Sequence, residues 1–283
     1  MLVVKTAGIG DLLLAVPALR SLRAAYPDAR IDLLTTPGAA PLLRDSPLVN
    51  RIFVVDKVAF DYPRDLPRAP WRLASLLALA LRLRARRYHA ATYSIGMGAA
   101  RLFSRSVDLT GRRLMLDLGG GSGAYSIVAT KTYPGLKAIV LDLPPVAVVA
   151  REYIAQNDAA DRVTAMPGDF TQTEFPKGAD VVVMASNLPQ YEPDLIRLVV
   201  AKAFAAMAPG GEMHLIGETL HDDRRGPLSA ALWGLNEAIQ GSTGVAHTEG
   251  EVTGYLQGAG FTDVAVHPFV PGVLSRVTGR KPG

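Results

Sequence analysis

Cysteine is absent from the 283-residue chain, and tryptophan occurs only twice. The lack of cysteine excludes disulfide bonds and cysteine-ligated zinc or iron–sulfur sites, and it is consistent with a cytoplasmic protein. The longest apolar run, Leu73–Leu81, is too short to span a bilayer. The first residues lack the basic and apolar regions of a signal peptide. We therefore predict a cytoplasmic protein without stable membrane insertion.

Neither positive nor negative charge is in large excess. The chain has 30 lysines and arginines against 26 aspartates and glutamates, a net charge of +4. Part of the excess lies in a basic stretch, Arg72–Arg87, which we interpret as a helix with a solvated arginine face. So small an excess does not indicate a nucleic-acid surface. No spacing of histidines and acids suggests a metal site, so we expect a small-molecule partner and no metal.

The first third of the chain alternates short apolar runs with helical patterns. Strands are predicted at 2–5, 30–36 and 51–56, with a fourth at His89–Ser94. A helix is predicted over Leu12–Tyr26, bent or delayed by Pro17. A proline-rich loop is predicted at Asp61–Pro70. This alternation predicts a small parallel α/β half-domain, for which we set the bounds 1–93.

The remainder, 94–283, repeats the pattern on a larger scale. Strands are predicted at 114–118, 137–143, 163–170, 179–186 and 212–218, with helices between them. Pro209-Gly210-Gly211 is predicted as a turn before the last of these. Two final strands, 262–269 and 272–281, are joined by a tight turn. We predict a Rossmann-like, mostly parallel sheet with an antiparallel C-terminal edge.

The stretch LMLDLGGGSGAYS, Leu114–Ser126, places a glycine turn between a strand and a helix. Glycines allow backbone angles that are closed to other residues and leave no Cβ in the way of a ligand. The spacing also fits the dinucleotide-binding fingerprint, in which pyrophosphate lies at the helix N-terminus. However, Asp117 ends the strand, and a carboxylate there suits a cation better than pyrophosphate. S-adenosylmethionine carries an ammonium and a sulfonium.

Two further acids end the next two predicted strands. Asp142 is placed to accept hydrogen bonds from both hydroxyls of a ribose, and Asp169 with Phe170 to hold an adenine. The carboxyl ends of parallel strands meet at one edge of an open α/β sheet, where ligands bind. Three acids in this order favour a cofactor site over three solvated loop residues.

Together these segments resemble the class I S-adenosylmethionine-dependent methyltransferases, and more narrowly the O-methyltransferases of caffeate, acetylserotonin, polyketides and hydroxyneurosporene. The motifs are LMLDLGGGSGAYS, VLDLPPVAVVAREYI, GDF, MAPGGEMHLIGE and GAGFTDV, within 94–282. The resemblance implies that the glycine turn approaches the methionine part, Asp142 the ribose, and Asp169 and Phe170 the adenine. The cofactor-binding set that we predict is Asp117, Gly119, Gly120, Gly121, Gly123, Asp142, Leu143, Gly168, Asp169, Phe170 and Ser186.

The catalytic base is less clear from the sequence. Plant-like members of this family use a histidine after the fourth strand, but Asn187 stands at that place, and an amide cannot act as a general base. We take Asn187, Tyr191 and His247 as the catalytic candidates. Methyl transfer can also proceed by alignment alone, onto oxygen, carbon or nitrogen. The remaining candidates are Glu192, Glu218, His214 (expected to be structural) and His221 (expected to be solvated).

A second resemblance covers residues 2–91, carried by GIGDLLLAVPAL. These residues resemble the acceptor-side half-domain of glycosyltransferase family 9, the heptosyltransferases. The resemblance implies that Asp11 corresponds to the aspartate proposed as the base in that family. The nucleotide-sugar domain of that family has no counterpart here, so the chain is interpreted as a fusion or chimera.

The leading hypothesis is an S-adenosylmethionine-dependent methyltransferase (EC 2.1.1.-) acting on a small, aromatic or polyketide- or carotenoid-like hydroxyl, as a monomer or homodimer. Ala231–Gln240, with Trp233, is either an apolar wall over the acceptor or a core helix. The alternatives are a glycosyltransferase of cell-envelope biosynthesis and a non-catalytic binder of S-adenosylmethionine. An NAD-dependent dehydrogenase is disfavoured by Asp117 and by the Pro-Gly-Gly turn.

Overall fold

The computed structural model describes residues 2–4, 9–54, 92–240 and 243–283. Within them the strands form two sheets, one of three strands and one of seven. The predicted loop at 61–70 and basic helix at 72–87 lie outside the described residues. None of the described helices combines the length and the apolar character needed to cross a bilayer.

The smaller sheet has three parallel strands in the order β1-β2-β3. β1 is Leu2–Val4, β2 is Asp32–Thr35 and β3 is Arg51–Val54, with a short 3-10 helix at Ala40–Leu43. Helix α1, Ile9–Ala25, follows β1 and runs through Pro17 without ending there. The N-terminal strands are therefore parallel, as predicted, and β2 is shorter than its predicted run of 30–36.

The larger sheet has the order β6-β5-β4-β7-β8-β10-β9. Its strands are β4 Leu114–Leu118, β5 Lys137–Asp142, β6 Val163–Pro167, β7 Ala179–Ala185, β8 Met207–Gly217, β9 Thr262–Val270 and β10 Leu274–Arg280. The helices are α2 over 92–106, α3 Ala124–Thr132, α4 Pro144–Gln156, α5 Pro193–Ala206, α6 Leu228–Gln240 and α7 Glu249–Gly258, with a 3-10 helix at Leu188–Gln190.

The strand directions confirm the predicted fold class. β4 to β8 are parallel to one another, whereas β10 is antiparallel to both β8 and β9. Apolar side chains pack in two clusters that include Ile127 and Ile154 in one, and Val199 and Leu256 in the other. The sheet is thus covered on both faces, as buried parallel strands require.

The sequence prediction was wrong at two places. Residues 92–94, predicted as the end of a strand, are helical and belong to α2. Tyr93 stacks on Tyr153 of α4 at 4.3 Å, and Asn157 Nδ2 donates a hydrogen bond to its hydroxyl at 2.8 Å, so this end of α2 is held against α4. The Pro-Gly-Gly segment lies within β8, where the Gly210 N–H is paired with the carbonyl of Lys281 at 3.0 Å.

The N-terminal segment contacts the rest of the chain through two helices. Gly10, in the first turn of α1, lies against the backbone of α6, and a Cβ at that position would be 2.8 Å from the carbonyl oxygen of Leu232. Asn236, which is buried, is the next residue of α6 near this contact. The glycine at position 10 thus allows the first turn of α1 to pack closely on α6.

Candidate active site

The glycine turn joins β4 to α3 at the carboxyl edge of the larger sheet. Gly119, Gly121 and Gly123 have φ of +63°, +59° and +77°, in the left-handed region that side chains disfavour. At Gly120 the constraint is space, because an added Cβ would lie 2.6 Å from the carboxyl carbon of Asp117. The turn therefore passes directly over the Asp117 carboxylate, and the sequence has glycine where the backbone must approach it.

Asp117 is buried, with 1% of its surface exposed. Its Oδ2 accepts a hydrogen bond from the Ser126 hydroxyl at 2.8 Å, whereas Oδ1 has no partner among the described residues. Burial raises the pKa of Asp117 to about 7, and the nearby carboxylate of Asp142 contributes in the same direction. A buried acceptor without a donor is costly, so Oδ1 is poised to bind a donor or a cation.

Asp142 connects the end of β5 to the glycine turn. Its Oδ2 accepts the Gly121 N–H at 2.8 Å, and its Oδ1 accepts the N–H of Leu143 at 2.7 Å. Burial raises the pKa of Asp142. Each carboxylate oxygen keeps acceptor capacity after these single bonds. Two oxygens fixed side by side can accept hydrogen bonds from a pair of neighbouring hydroxyls.

The segment after β6 lies on the other side of Asp142. The Gly168 N–H donates to the Asp142 carbonyl at 2.8 Å. Asp169 Oδ1 accepts both the N–H and the hydroxyl of Thr171, at 2.9 and 2.7 Å, so this carboxylate stabilises its own turn. Phe170 is buried, and its ring edge lies within 3.0 Å of where a Cβ on Gly119 would be. The structure therefore brings the three predicted strand-end segments together.

Asn187 holds the turn from the β7 side. Its Nδ2 donates towards the carbonyl oxygens of Leu118, Gly119 and Ala185, at 3.2, 3.3 and 3.0 Å. Ser186 precedes it with φ +59°, an uncommon conformation for a residue with a side chain, and its N–H is bonded to the Ile216 carbonyl at 2.8 Å. The amide of Asn187 thus ties two strand ends together.

The other two catalytic candidates are neighbours of each other. His247 has no exposed surface; its Nε2 lies 2.9 Å from the carbonyl oxygens of both Leu188 and Tyr191, and its Nδ1 lies 2.9 Å from the Tyr255 hydroxyl. Carbonyls only accept, so Nε2 carries the proton and Nδ1 accepts. Burial lowers the pKa of His247. Both ring nitrogens are occupied within the protein, which leaves neither for a substrate.

Tyr191 lies between Phe170 and His247. Its ring meets Phe170 edge to face at 5.3 Å. Burial, together with the carboxylates of Asp169 and Asp142, raises the pKa of Tyr191 to about 12. A phenol with so high a pKa remains protonated at neutral pH, so Tyr191 can donate a hydrogen bond but is a poor base.

Two buried polar residues at this edge carry weaker sequence signals. Tyr125, in the first turn of α3, has a hydroxyl without a partner among the described residues. Burial and the carboxylates of Asp117 and Glu218 raise its pKa. Glu218 directly follows β8, and burial raises its pKa as well. The strand-end position marks Glu218 in the sequence, but a single tyrosine inside a helix gives no such signal.

The remaining candidates lie elsewhere. His214 is buried in β8, where Arg276 donates to its Nδ1 at 3.3 Å, and burial with nearby arginines lowers its pKa to about 3. His221 is exposed, as is Glu192 at the start of α5. No three histidine or acidic side chains approach closely enough to hold a metal ion in the part of the chain that the structure describes.

Comparison with known proteins identifies the family to which residues 87–262 belong. The sequence model of the O-methyltransferase domain matches residues 87–262, more than half of the chain. The chain belongs to the O-methyltransferase domain family. Residues 1–86 lie outside this match, and none of the relatives described below supports the resemblance of 2–91 to glycosyltransferase family 9.

The curated relatives of this chain include an O-methyltransferase and a C-methyltransferase. The chain is 36% identical over 184 residues to the 3-hydroxy-5-methyl-1-naphthoate 3-O-methyltransferase of Streptomyces sahachiroi, covering 64% of this chain and 53% of that protein. It is 35% identical over 126 residues to the L-tyrosine C(3)-methyltransferase of Streptomyces lavendulae, covering 44% and 34%. The chain therefore spans about a third to a half of the length of these relatives.

Solved structures of similar O-methyltransferases share the fold. The mitomycin 7-O-methyltransferase has a TM-score of 0.63 and 27% identity, covering 69% of this chain and 56% of that one. Human N-acetylserotonin methyltransferase, solved in complex with SAM, has a TM-score of 0.62 and 25% identity, covering 79% and 61%.

Proposed function

We propose that this chain is an S-adenosylmethionine-dependent methyltransferase that modifies a small aromatic or polyketide-like acceptor, with a hydroxyl as the acceptor group. Membership of the O-methyltransferase domain family supports the reaction class. The naphthoate and tyrosine relatives support an aromatic acceptor. The observation that carries the proposal is the unpartnered Oδ1 of buried Asp117 beneath the glycine turn.

The residues present fit the proposed cofactor. Asp117 provides an acceptor for the ammonium, and the turn from Gly119 to Gly123 leaves its backbone open to the methionine part. The paired oxygens of Asp142 suit the ribose hydroxyls, and Phe170 provides an apolar surface for the adenine. Asp169 is already bonded to Thr171, so we assign it a role in shaping the adenine segment. When bound, the cofactor supplies an electrophilic methyl group on its sulfonium.

We assign positioning roles to the three catalytic candidates. Asn187 fixes the glycine turn, His247 fixes the 3-10 helix, and Tyr191 packs on Phe170. Alignment of an acceptor for in-line attack, in a site closed to water, supplies a large part of the rate of such a displacement. Glu218 is the buried carboxyl that we propose to take the acceptor's proton, because burial raises its pKa towards the range useful to a base.

The N-terminal segment is proposed to support the acceptor side of the site. Helix α6 carries Trp233, and α1 packs against it through Gly10. We therefore retain α6 as the proposed wall of the acceptor pocket, with α1 behind it. The division into 1–93 and 94–283, the glycosyltransferase-like ancestry of the first part, the cytoplasmic location and a monomeric or homodimeric state remain proposals.

Methyl transfer is the direct test of this function. The purified protein is incubated with S-adenosylmethionine and a panel of naphthols, hydroxynaphthoates and tyrosine, and products are measured by mass spectrometry. A product heavier by one methylene equivalent, formed together with S-adenosylhomocysteine, supports the proposal. Binding of the cofactor with no transfer to any acceptor would favour the non-catalytic binder, and binding of sugar nucleotides instead would favour the glycosyltransferase alternative.

A further inference from the structure

Two unpartnered polar atoms belong to residues on either side of the glycine turn, Asp117 in β4 and Tyr125 in the first turn of α3. Asp117 Oδ1 and the Tyr125 hydroxyl are both buried and have no hydrogen-bond partner among the described residues. Their side chains are 1% and 7% exposed. Most buried polar atoms in folded proteins are paired, so two exceptions on residues that flank one glycine turn point to a group that completes them.

The side chain of Tyr125 is held in place by packing. Its ring packs edge to face on Phe103 at 5.6 Å and belongs to the core on one side of the sheet. Ser126, the next residue of α3, is bonded to the other oxygen of Asp117 at 2.8 Å. The first turn of α3 is thus held against the Asp117 carboxylate, and Tyr125 belongs to this turn.

The charges around the Tyr125 hydroxyl select the ligand. The carboxylates of Asp117 and Glu218 both act on this phenol, and neither forms an ion pair with a cationic side chain among the described residues. The two carboxylates would repel an anion. A primary ammonium, in contrast, has three N–H donors that can bond to carboxylate and phenol oxygens. A phenol oxygen retains two lone pairs and can accept one of these bonds.

We propose that Tyr125 is a binding residue for the α-ammonium of the methyl donor, which its hydroxyl oxygen shares with Asp117 Oδ1. The inference rests on the proposed function. It goes beyond the cofactor set predicted from the strand-end motifs, because Tyr125 lies inside a helix. The negative charge of Glu218 also acts on this phenol.

Titration calorimetry near pH 7.5 tests this assignment with three ligands. S-adenosylhomocysteine has the ammonium, its deaminated analogue keeps the carboxylate but lacks the ammonium, and 5′-methylthioadenosine lacks the whole amino-acid end. Tyr125→Phe is compared with wild type, and Tyr133→Phe serves as a matched control at the far end of α3, where the hydroxyl lies 2.9 Å from the Val107 carbonyl. Thermal unfolding of each free variant checks the fold.

We expect Tyr125→Phe to weaken S-adenosylhomocysteine by about tenfold, the usual effect of losing one hydrogen bond to a charged group. The deaminated analogue and methylthioadenosine should bind both proteins equally, and Tyr133→Phe should change none of the affinities. An unchanged affinity for S-adenosylhomocysteine, or an equal loss for all three ligands, would overturn the assignment. A wild-type protein that binds none of the three would instead contradict the proposed function.

Should Tyr125→Phe not fold, the wild-type protein still tests the ammonium subsite. The deaminated analogue should then bind at least about tenfold more weakly than S-adenosylhomocysteine, because the buried acceptors remain unpaired. Equal affinity of the two ligands would show that no ammonium is bound beside Asp117 and Tyr125.

Discussion

Asn187 Nδ2 lies 3.3 Å from the carbonyl oxygen of Gly119, and a Cβ on that glycine would be only 2.7 Å from the same nitrogen. The amide also donates towards the carbonyls of Leu118 and Ala185. These contacts join the ends of β4 and β7 where the glycine turn begins. The amide of Asn187 therefore holds the glycine turn in place.

Substitution of Asn187 distinguishes a structural from a chemical role. Asn187→Ala leaves carbonyl oxygens without their donor and should lower the free energy of unfolding by about 1–3 kcal/mol. Asn187→Asp should be more damaging, because a carboxylate cannot donate and faces three carbonyl oxygens. Urea unfolding measures both. An aspartate variant as stable as wild type would show that the amide does not hold the turn.

Asp117 should make cofactor binding depend on pH. Its pKa of about 7 in the free protein means that ammonium binding requires loss of a proton at lower pH. The affinity for S-adenosylhomocysteine should therefore fall below pH 7, by up to about tenfold per pH unit, with proton release on binding. Calorimetry in buffers of different ionisation enthalpy measures this release. Asp117→Asn should bind weakly at every pH and release no such proton.

Asp117 should also make the free energy of unfolding decrease as the pH rises. An acid whose pKa is lowered on folding has the opposite effect. Its folded-state pKa is raised above the ordinary aspartate value of 3.8, so the unfolded state loses this proton first as the pH increases. The free energy of unfolding of the free protein should then decrease between about pH 4 and pH 7, relative to that of Asp117→Asn. A constant difference between the two proteins across that range would contradict the burial of an ionisable carboxyl here.

His247 should behave as a structural residue. His247→Phe keeps a ring but leaves two carbonyls and the Tyr255 hydroxyl unpaired, which should cost about 2–4 kcal/mol of stability near pH 7.5. Because burial depresses the pKa of His247 below 6.5, protonation favours unfolding, and the stability it provides should be lost as the pH falls below 6.5. The gap between the two proteins should therefore narrow on acidification. Unchanged stability with lost methyl transfer would instead indicate a catalytic histidine.

Gly10 should control the contact between the N-terminal segment and α6. Gly10→Ala places a methyl group 2.8 Å from the Leu232 carbonyl oxygen, so the helices must separate. We expect faster proteolysis of the N-terminal segment and little change in S-adenosylhomocysteine affinity. Gly38→Ala is the control, since a Cβ there meets nothing within 4 Å. Equal protease resistance of both variants would contradict the packing of α1 on α6.

Hydrophobic periodicity predicted the strands and helices of the larger sheet, and the residues at the strand ends predicted the position of the candidate site. Asp117 and Asp142 could be placed at one edge because parallel strands share a carboxyl edge. Hydrogen-bond partners could not be read from the sequence. In the structure both ring nitrogens of His247 are paired within the protein, which distinguishes this histidine from a general base. The helical state of 92–94 was missed because its packing on Tyr153 overrides a short strand-like pattern.

Titration of the protein with S-adenosylhomocysteine, near pH 7.5, most directly tests cofactor binding at the glycine turn. Wild type should bind, and Asp142→Ala should lose at least about tenfold in affinity because it removes two charged acceptors and the bond to Gly121. Asp194→Ala, which removes an exposed aspartate paired with Arg197, should bind like wild type. Absence of binding by a folded wild-type protein, or equal binding by Asp142→Ala, would contradict the proposed cofactor site.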